Sequence, residues 1–397
     1  MKKRLLPALV VLCMAGLELY SQTGNPVAKV QDAARNNVGL LLPPALYAVP
    51  GTELNVYFDN IVLVPDIKQL QFDVDCKYGR QDQARWRFTP ADKDAGSFPL
   101  TIKVYDAASK LLAEATATVY VSPKDSGKGK DISVMLLGAS QTAASIYPQE
   151  LYDLFKKDGM NVKFVGTGSS SGFPVKEGIA AHEGRGGWGW ARYCTQFEDP
   201  GEPRPVFKSS PFLVRKDGKV VLDFRSYCDR NNNGRAPDYI TILLGINDIF
   251  SLDDTRFDQN LPAIFASADT LINAFREVSP DTKIAIALVP PPAASQDAFG
   301  KNYKCGQTRW QYRKNQHRYN ESLIKKFGGR EKENLFIIPL HVNIDCENNY
   351  PKEEEQINAR NPKKIFIASN GCHPTKEGYL QFADSFYSWF KYELNRK

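Results

Sequence analysis

Residues 131–142 read DISVMLLGASQT, and this stretch decides the fold of the C-terminal part of the chain. The apolar run 132–137 predicts a strand that is buried on both faces, as strands in parallel sheets are. A glycine, an alanine and Ser140 follow the run at once. Because ligands bind beyond the carboxyl ends of strands in open α/β sheets, the stretch predicts both a parallel sheet and a site near Ser140.

Strand and helix signals alternate from this stretch to the C-terminus. Such alternation is typical of a parallel sheet with helices on both faces. The predicted strands are 132–137, 162–165, 239–244, 284–289 and 335–338, and the predicted helices are 148–157, 261–278, 309–327 and 375–392.

The part of the chain before this stretch follows a different pattern. Residues 27–121 contain short runs rich in β-branched and aromatic residues, separated by turn signals. This is typical of a small all-β sandwich, and the segment from Phe88 to Val121 resembles the last strands of immunoglobulin-like modules. Residues 122–130 are polar and glycine-bearing, which predicts a linker. We therefore predict an immunoglobulin-like domain at 27–121, a linker at 122–130 and an α/β domain at 131–397.

An insertion at residues 195–237 interrupts the alternation. Within it, Lys216-Asp217-Gly218 separates two apolar runs, and Asp-Gly between such runs predicts a β-hairpin. We expect the insertion to lie on the substrate face of the domain.

The N-terminus carries a targeting signal. Three basic residues follow Met1, then an apolar run over 5–17 and small polar residues to about Gln22. This pattern predicts a secretory signal peptide at 1–22 and a protein that is exported, whether periplasmic, cell-surface or secreted. The run is too short to span a membrane, and no later run reaches the necessary length. Six cysteines remain after cleavage, so up to three disulfides are possible.

Net charge and histidine spacing exclude two classes of partner. The formal net charge is +6, spread without a block of lysine or arginine, so we predict no nucleic-acid binding. The four histidines are scattered without metal-ligand spacing, and we predict neither a metal nor any other cofactor. The oligomeric state is left open.

Chemistry-bearing residues cluster at the ends of the predicted strands. The first cluster contains Ser140, and the second, Gly-Ile-Asn-Asp, contains Asn247 and follows the strand 239–244. A third, Asn-Gly-Cys-His-Pro, contains His373 and precedes the last helix. A glycine-rich loop around Gly187 lies between the first two, and glycines allow backbone amides to approach a ligand closely.

At these residues the chain resembles the SGNH hydrolases, also called GDSL-type esterases and lipases, over about residues 131–397. The resemblance implies a flavodoxin-like three-layer α/β/α fold and a serine esterase that needs no cofactor. By this resemblance Ser140 is the nucleophile and His373 its general base. The amides of Ser140 and Gly187 and the side chain of Asn247 form the oxyanion hole, which acyl transfer requires to stabilise the tetrahedral intermediate.

Two positions depart from the pattern of that family. Ala139 stands where the family has an aspartate before the nucleophile, and Asn370 replaces the aspartate three residues before the histidine. That aspartate would orient the imidazole and stabilise its cationic form. Asn370 is therefore predicted as a catalytic residue that orients His373 through its side-chain oxygen. The alternative is a backbone carbonyl in that role, with a dyad-like site of Ser140 and His373.

Substrate predictions rest on the aromatic residues and on export. Arg185, Trp188 and Trp190 flank the glycine-rich loop and are predicted as possible substrate-binding residues, with partly buried packing as the alternative. An exported SGNH protein with a β-sandwich resembles carbohydrate esterases, which implies an acylated polysaccharide or oligosaccharide as substrate, most simply an O-acetyl ester. The alternatives are a non-catalytic glycan-binding or surface protein, motivated by Ala139 and Asn370, and a lipase or lysophospholipase.

Overall fold

The computed structural model describes residues 38–172, 174–198 and 208–396. These described residues belong to one compact unit. The predicted signal peptide at 1–22 and the beginning of the predicted β domain lie outside the described residues.

Two β-sheets share one core in the described N-terminal region. One has the strand order β1-β7-β6-β3 and the other β2-β5-β4, and all pairs are antiparallel except β1 with β7. Buried side chains of both sheets, among them Trp86 and Ile102, form one hydrophobic cluster. The elements are β1 (Ala45–Ala48), β2 (Leu54–Tyr57), α1 (Phe58–Ile61), β3 (Gln71–Cys76), β4 (Arg80–Gln81), β5 (Arg85–Phe88), β6 (Gly96–Tyr105) and β7 (Leu111–Val121).

The remaining strands build a parallel sheet and two hairpins. They are β8 (Asp131–Gly138), β9 (Asn161–Phe164), β10 (Glu183–Gly184), β11 (Leu213–Lys216), β12 (Lys219–Leu222), β13 (Tyr239–Leu243), β14 (Lys283–Ala287), β15 (Leu335–Ile338), β16 (Lys352–Asn358) and β17 (Asn361–Ala368). One edge of β8 pairs with β9 and then β10, and its other edge pairs with β13, followed by β14 and β15. If β9 and β10 count as one position, this is the flavodoxin-like order 2-1-3-4-5.

Helices connect these strands, as the alternation predicted. They are α2 (Ser140–Ala143), α3 (Ile146–Lys157), α4 (Trp190–Thr195), α5 (Phe224–Asn231), α6 (Ile246–Ile249), α7 (Asp254–Val278), α8 (Asp297–Tyr303), α9 (Arg309–Phe327) and α10 (Lys376–Asn395). Helix α7 begins before the predicted start at 261, because Asp253 caps it by accepting from the Arg256 N–H at 2.8 Å. No described helix is both long and apolar enough to cross a membrane.

Both faces of the parallel sheet are covered. All five residues of β13 are buried, and successive side chains of a strand point to opposite faces. On one face the Phe390 ring of α10 packs against Tyr239, with centroids 5.4 Å apart. Helix α3 packs beside α10 through the stacked rings of Tyr147 and Phe386. Helices α7 and α9 form a second pair with aromatic contacts of its own.

Two hairpins project from the α/β region. In the first, β11 and β12 are joined by Asp217 and Gly218, which both have positive φ, as the predicted Asp-Gly hairpin turn requires. The second, β16–β17, was not predicted, because its charged first strand lacks the alternation of a half-buried strand.

Buried hydrogen bonds join the N-terminal sheets to the α/β region. Asn343 Oδ1 accepts from the backbone N–H and the side-chain amide of Asn55, at 2.8 and 3.1 Å. Asn60 Nδ2 donates to the carbonyls of His341 and Ile344, at 2.9 and 2.8 Å. Separating the regions would leave these groups without partners unless water replaced them, so the hydrogen bonds favour one compact unit.

The segment predicted as a linker, 122–130, is fixed by a buried lysine. Lys391 Nζ of α10 donates to the carbonyls of Lys124 and Ser126, at 2.7 and 2.9 Å. The same ammonium forms a salt bridge with Asp158. The connection between β7 and β8 is therefore an ordered part of the fold.

The six cysteines of the described chain are all free thiols, so the structure contains none of the three disulfides that the even count allowed. The even number alone carried no information on pairing, because bridging also requires the Cβ atoms to approach within about 4.5 Å. Packing and hydrogen bonds stabilise this structure without covalent cross-links between these cysteines.

We predict that Asn343→Ala lowers the free energy of unfolding by about 2–3 kcal/mol, because it leaves two buried donors of Asn55 without an acceptor. Urea unfolding followed by circular dichroism measures the change. Asn260→Ala is the control, since Asn260 is exposed on α7 and should change stability by less than about 0.5 kcal/mol. Equal effects of the two substitutions would contradict the prediction.

Candidate functional site

Ser140 begins helix α2 directly after β8 ends at Gly138. A side chain at 138 would overlap the Thr142 hydroxyl, so the sharp turn from strand to helix requires a glycine here. As the first residue of a helix, Ser140 has a backbone N–H without an intrahelical acceptor. Both its amide and its hydroxyl are thereby presented at the carboxyl end of the sheet.

His373 lies in the loop between β17 and α10, and its Nε2 is 2.8 Å from Ser140 Oγ. In the tautomer with the proton on Nδ1, the serine hydroxyl donates to Nε2. Burial lowers the pKa of His373 from its usual value of 6.5, because desolvation disfavours the imidazolium. The imidazole is therefore neutral near pH 7 and able to accept the serine proton.

Asn370 holds the loop backbone and makes no hydrogen bond to the imidazole. Its Oδ1 accepts from the backbone N–H groups of Cys372 and His373, at 3.0 and 2.9 Å. Among residues 38–172, 174–198 and 208–396, no group hydrogen-bonds to His373 Nδ1. The expectation that the Asn370 oxygen orients the ring directly thus differs from the structure, since that oxygen is already bound to two amides.

Gln141 connects the serine turn to the histidine loop. Its Nε2 donates to the carbonyl of Cys372 at 2.8 Å, and both residues are buried. Burial also raises the pKa of the Cys372 thiol to about 12, so a thiolate nucleophile beside His373 is excluded near neutral pH. Sequence analysis did not identify Gln141, although its place directly after Ser140 was the available signal.

A two-residue strand brings the glycine-rich loop next to Ser140. Strand β10 pairs Glu183 with Leu137 and Gly184 with Gly138, and the Arg185 N–H donates to the Gly138 carbonyl at 3.0 Å. A Cβ atom on Gly184 would overlap the backbone of α2. The short strand could not be predicted from the sequence, because two residues carry no periodicity.

Gly187 and Asn247 present amide donors in the loops next to the serine turn. Gly187 has φ +76°, and Trp188 donates its N–H to the Arg185 carbonyl at 3.2 Å, which defines a type II turn. The Gly187 N–H has no acceptor among the described residues. Asn247 Nδ2 donates to the Trp188 carbonyl at 2.9 Å, which uses one of its two hydrogens. With the Ser140 amide, these groups supply the donors that an oxyanion hole needs.

The three residues predicted as possible substrate ligands are packed in the interior. Trp190 is fully buried, and its indole donates to the Tyr319 hydroxyl at 2.8 Å, so its ring has no free face for a sugar. Trp188 is also buried and packs edge-on against Tyr193. Arg185 is 3 % exposed. All three side chains therefore pack in the interior, which was the alternative to substrate binding, and the substrate-binding prediction differs from the structure.

A buried carboxylate explains the position of Arg185. Glu183 accepts from Thr167 and Tyr227 and forms a salt bridge of 3.1 Å with Arg185. Desolvation raises the pKa of Glu183, and the guanidinium and the hydrogen bonds oppose that shift. Because Arg185 opens the turn that carries Gly187, this network fixes one end of the candidate oxyanion hole.

In a second serine–histidine pair, Ser145 and His182, the histidine donates the hydrogen bond to the serine instead of accepting it. Ser145 Oγ is 2.8 Å from His182 Nε2, the same distance as in the first pair. His182 Nδ1 accepts from the Gly184 N–H at 3.1 Å, so the ring proton must be on Nε2. His182 therefore donates to Ser145 and cannot accept its proton. Burial lowers the pKa of His182 to about 4, which keeps the ring neutral.

Asp248 connects the loop after β13 to the start of α4. Its Oδ1 accepts from the Trp190 N–H at 3.2 Å, and a Cβ atom on Gly189 would overlap the carboxylate. Burial raises the pKa of Asp248 to about 6. Asp248 therefore has a structural role, since it fixes the backbone at the start of α4.

The arrangement combines a hydroxyl, a neutral base and several amide donors at one edge of the sheet. Ser140 and Asn247 follow β8 and β13, between which the strand order reverses, and open α/β sheets bind ligands at such a point. Within the described ranges, no group of three histidine, cysteine or acidic side chains is arranged to hold a metal ion. These groups are those that nucleophilic acyl transfer requires.

Comparison with known families gives a match. The sequence model of the GDSL-like lipase/acylhydrolase family matches residues 134–386, which include Ser140, Gly187, Asn247 and His373. A search of curated proteins found no match.

Solved structures show distant likenesses. The acetyl xylan esterase AlAXEase is 14 % identical, with a TM-score of 0.36 and coverage of 65 % of this chain and 99 % of that one. Axe2, an acetylxylan esterase from Geobacillus stearothermophilus, is 12 % identical, with a TM-score of 0.34 and coverage of 69 % and 97 %. The gut microbial diltiazem-metabolizing enzyme BT4096 is 13 % identical, with a TM-score of 0.34 and coverage of 67 % and 49 %. Likenesses at this level carry no conclusion about the substrate.

We predict that kcat/KM for a small ester falls on the acidic side with a midpoint below pH 6.5. Only the neutral imidazole of His373 accepts a proton, and burial lowers its pKa, so the active form persists to lower pH than for an exposed histidine. A profile from pH 4 to 8 with para-nitrophenyl acetate measures the midpoint. A midpoint above pH 6.5 would contradict the lowered pKa.

We predict that Asn370→Asp moves this midpoint upward by about one pH unit, because a carboxylate near the imidazolium favours the charged form. Aspartate keeps the oxygen that accepts from the Cys372 and His373 amides, so the loop is preserved. The control is Asn260→Asp, which makes the same charge change on the exposed side of α7. If both profiles equal that of the wild type, the new carboxylate does not act on His373.

Proposed function

This chain belongs to the GDSL-like lipase/acylhydrolase family, and from that membership we propose a serine esterase mechanism in which Ser140 is the nucleophile and His373 the base. The observation that carries the assignment is the 2.8 Å contact between Ser140 Oγ and His373 Nε2. A serine hydroxyl is a weak nucleophile until a positioned base accepts its proton. The family acts on carboxylic esters, which is the reaction these groups can perform.

The proposed reaction has two acyl-transfer steps. Ser140 Oγ bonds to the ester carbonyl carbon as its proton moves to His373 Nε2, and the carbonyl oxygen becomes an oxyanion. The amides of Ser140 and Gly187 and the second Nδ2 hydrogen of Asn247 bind this oxyanion. His373 then gives its proton to the leaving alcohol, and an acyl-enzyme remains. Water, deprotonated by His373, attacks the acyl-enzyme and releases the acid.

The base acts here without a carboxylate partner on Nδ1. The Asn370 side-chain oxygen fixes the position of His373 by accepting from the His373 backbone N–H. Gln141, next to Ser140, fixes the same loop by donating to the Cys372 carbonyl. These contacts place the ring, but they add no negative charge to stabilise the imidazolium. We infer that His373 is a weaker base than in a full triad, which favours esters over amides because an alcohol leaves more readily.

For the substrate we propose an acylated polysaccharide or oligosaccharide, most simply one with O-acetyl groups. The support is the predicted signal sequence, the resemblance to carbohydrate-active SGNH esterases and the attached β-rich region. We propose that residues 27–121 form an immunoglobulin-like sandwich domain, supported by two sheets around one core. The protein would be exported and act on glycans outside the cytoplasm.

One observation favours a second function, a non-catalytic glycan-binding protein with the same fold. His373 Nδ1 has no hydrogen-bond partner among the described residues, and Ala139 offers no carboxylate either. In that reading the serine and histidine are remnants of an ancestral site. Measurable turnover that depends on Ser140 would exclude it.

We predict that Ser140→Ala lowers kcat for para-nitrophenyl acetate by at least about 1000-fold, because no acyl-enzyme can form. Ser145→Ala is the matched control, since it removes a hydroxyl at the same 2.8 Å from a histidine Nε2. The control should retain activity of the same order as the wild type. Circular dichroism establishes that all three proteins are folded.

Two results would argue against the proposed mechanism. If Ser140→Ala and wild type hydrolyse the ester equally, the activity does not arise from Ser140. If neither hydrolyses any small ester or acetylated glycan, the binding function is favoured.

A further inference from the structure

Two adjacent side chains of α6 hold the loop that follows Gly187. Asn247 Nδ2 donates to the Trp188 carbonyl at 2.9 Å, and Asp248 Oδ1 accepts from the Trp190 N–H at 3.2 Å. The bonded carbonyl and the bonded amide belong to the peptide units on either side of residue 189. We name these two hydrogen bonds the double contact. It fixes two consecutive peptide units of the loop from two consecutive residues of the helix.

Gly189 lets the Asp248 carboxylate approach the loop closely. A Cβ atom at position 189 would overlap both oxygens of that carboxylate. The backbone of Gly189 is extended, with φ −112° and ψ −173°, and other residues can adopt this conformation. The glycine is therefore required by the contact with Asp248 and not by the backbone conformation. An alanine here would displace the carboxylate from the Trp190 N–H.

Tyr319 of α9 contacts both segments that the double contact joins. Its hydroxyl accepts from the Trp190 indole at 2.8 Å. Its ring lies against Gly245, which directly precedes α6 and where a Cβ atom would overlap the ring. Because Tyr319 is fully buried, the loop and the start of α6 are anchored to one fixed side chain.

The Asp248 carboxylate lies where a charge is unfavourable for folding. Its Oδ2 is buried and has no hydrogen-bond partner among the described residues. Burial raises the pKa of Asp248 to about 6, because the surroundings disfavour the charged form. Neither carboxylate oxygen hydrogen-bonds to Ser140 or His373, so the contacts give Asp248 no direct part in proton transfer. A buried acceptor without a partner in a native structure requires an explanation beyond packing.

We propose that Asp248 is a positioning residue of the oxyanion hole that acts through Asn247; this inference rests on the proposed esterase function. By holding the Trp190 N–H, Asp248 keeps the Trp188 carbonyl in place, and that carbonyl binds one Nδ2 hydrogen of Asn247. Both Nδ2 hydrogens lie in the plane of the amide, so fixing one also fixes the direction of the other. The second hydrogen is the donor to the oxyanion, and such donors stabilise the transition state because their direction is set in advance.

The test asks whether the effect of Asp248 depends on Asn247. Hydrolysis of para-nitrophenyl acetate is measured for wild type, Asp248→Ala, Asn247→Ala and the double variant. We expect Asp248→Ala to lower kcat about tenfold and to change KM less than about twofold, because orientation of the donor matters in the transition state. In the Asn247→Ala background the same substitution should lower kcat less than about twofold, because the donor that it orients is absent.

Three further variants distinguish orientation from general damage to the fold. Asp248→Asn keeps an acceptor oxygen for the Trp190 N–H and should retain at least about half of the wild-type kcat. Gly189→Ala displaces the carboxylate without removing it, so it should lower kcat as Asp248→Ala does, again only when Asn247 is present. Asp106→Ala is the matched control, because Asp106 also accepts from backbone N–H groups, in the β6–β7 turn, and it should leave kcat unchanged.

Circular dichroism establishes which variants are folded, and Gly189→Ala decides the question if Asp248→Ala is not. An equal loss of kcat with and without Asn247 would show that Asp248 only stabilises the fold, and would overturn the inference while a Ser140-dependent esterase stands. Wild-type kcat in the Asp248→Ala and Gly189→Ala proteins would overturn it as well. Absence of Ser140-dependent hydrolysis in the wild type would overturn the proposed function, and this inference with it.

Discussion

The hydrogen bonding of β8 to strands on both of its edges determines where the serine turn and the candidate oxyanion donors lie. Pairing with β13 aligns the ends of two strands, so Ser140 and Asn247 emerge in neighbouring loops. Pairing with the two residues of β10 on the other edge aligns the turn that carries Gly187 with the same end. Because parallel strands have their carboxyl ends at one edge, three segments that are distant in sequence meet there, and the hydrogen bonds from Asn247 to Trp188 and from Arg185 to Gly138 join them.

The histidine loop is held less directly, and this affects the strength of the base. Gln141 and Asn370 fix its backbone, while the imidazole itself contacts Ser140. These contacts to the backbone of the loop orient the imidazole, but they place no negative charge beside it. Comparison with Ser145 and His182 shows how much depends on the second ring nitrogen: there a backbone N–H on Nδ1 reverses the direction of the hydrogen bond at the same distance. Geometry at Nε2 alone therefore does not distinguish a catalytic pair from a structural one.

Much of this arrangement could be predicted from the sequence, because it follows from local patterns. The family model that matches the chain supports the predicted SGNH relationship, and α9 and β15 have the predicted bounds. The positions of Arg185 and Trp190 could not be predicted, since burial depends on the short strand β10 and on partners such as Glu183 and Tyr319. The β16–β17 hairpin was missed because Lys352–Asn358 is charged and mostly exposed, and such a run usually indicates a loop. The free thiols could not be predicted either, because a disulfide depends on the distance between two cysteines, and the number of cysteines does not give that distance.

The cysteines have a practical consequence for spectroscopy. Five of the six described thiols have pKa values raised by burial, so little thiolate is available at them for alkylation. Cys305 is the one exposed thiol among the described residues, and it lies two residues after the end of α8. Helix α8 contacts the β16–β17 hairpin through Lys301 and Glu355, and its Phe299 ring lies against Gly371 of the histidine loop. Among the described cysteines, a maleimide dye should therefore label chiefly Cys305. Its fluorescence would report events at the rim of the site without any engineered cysteine.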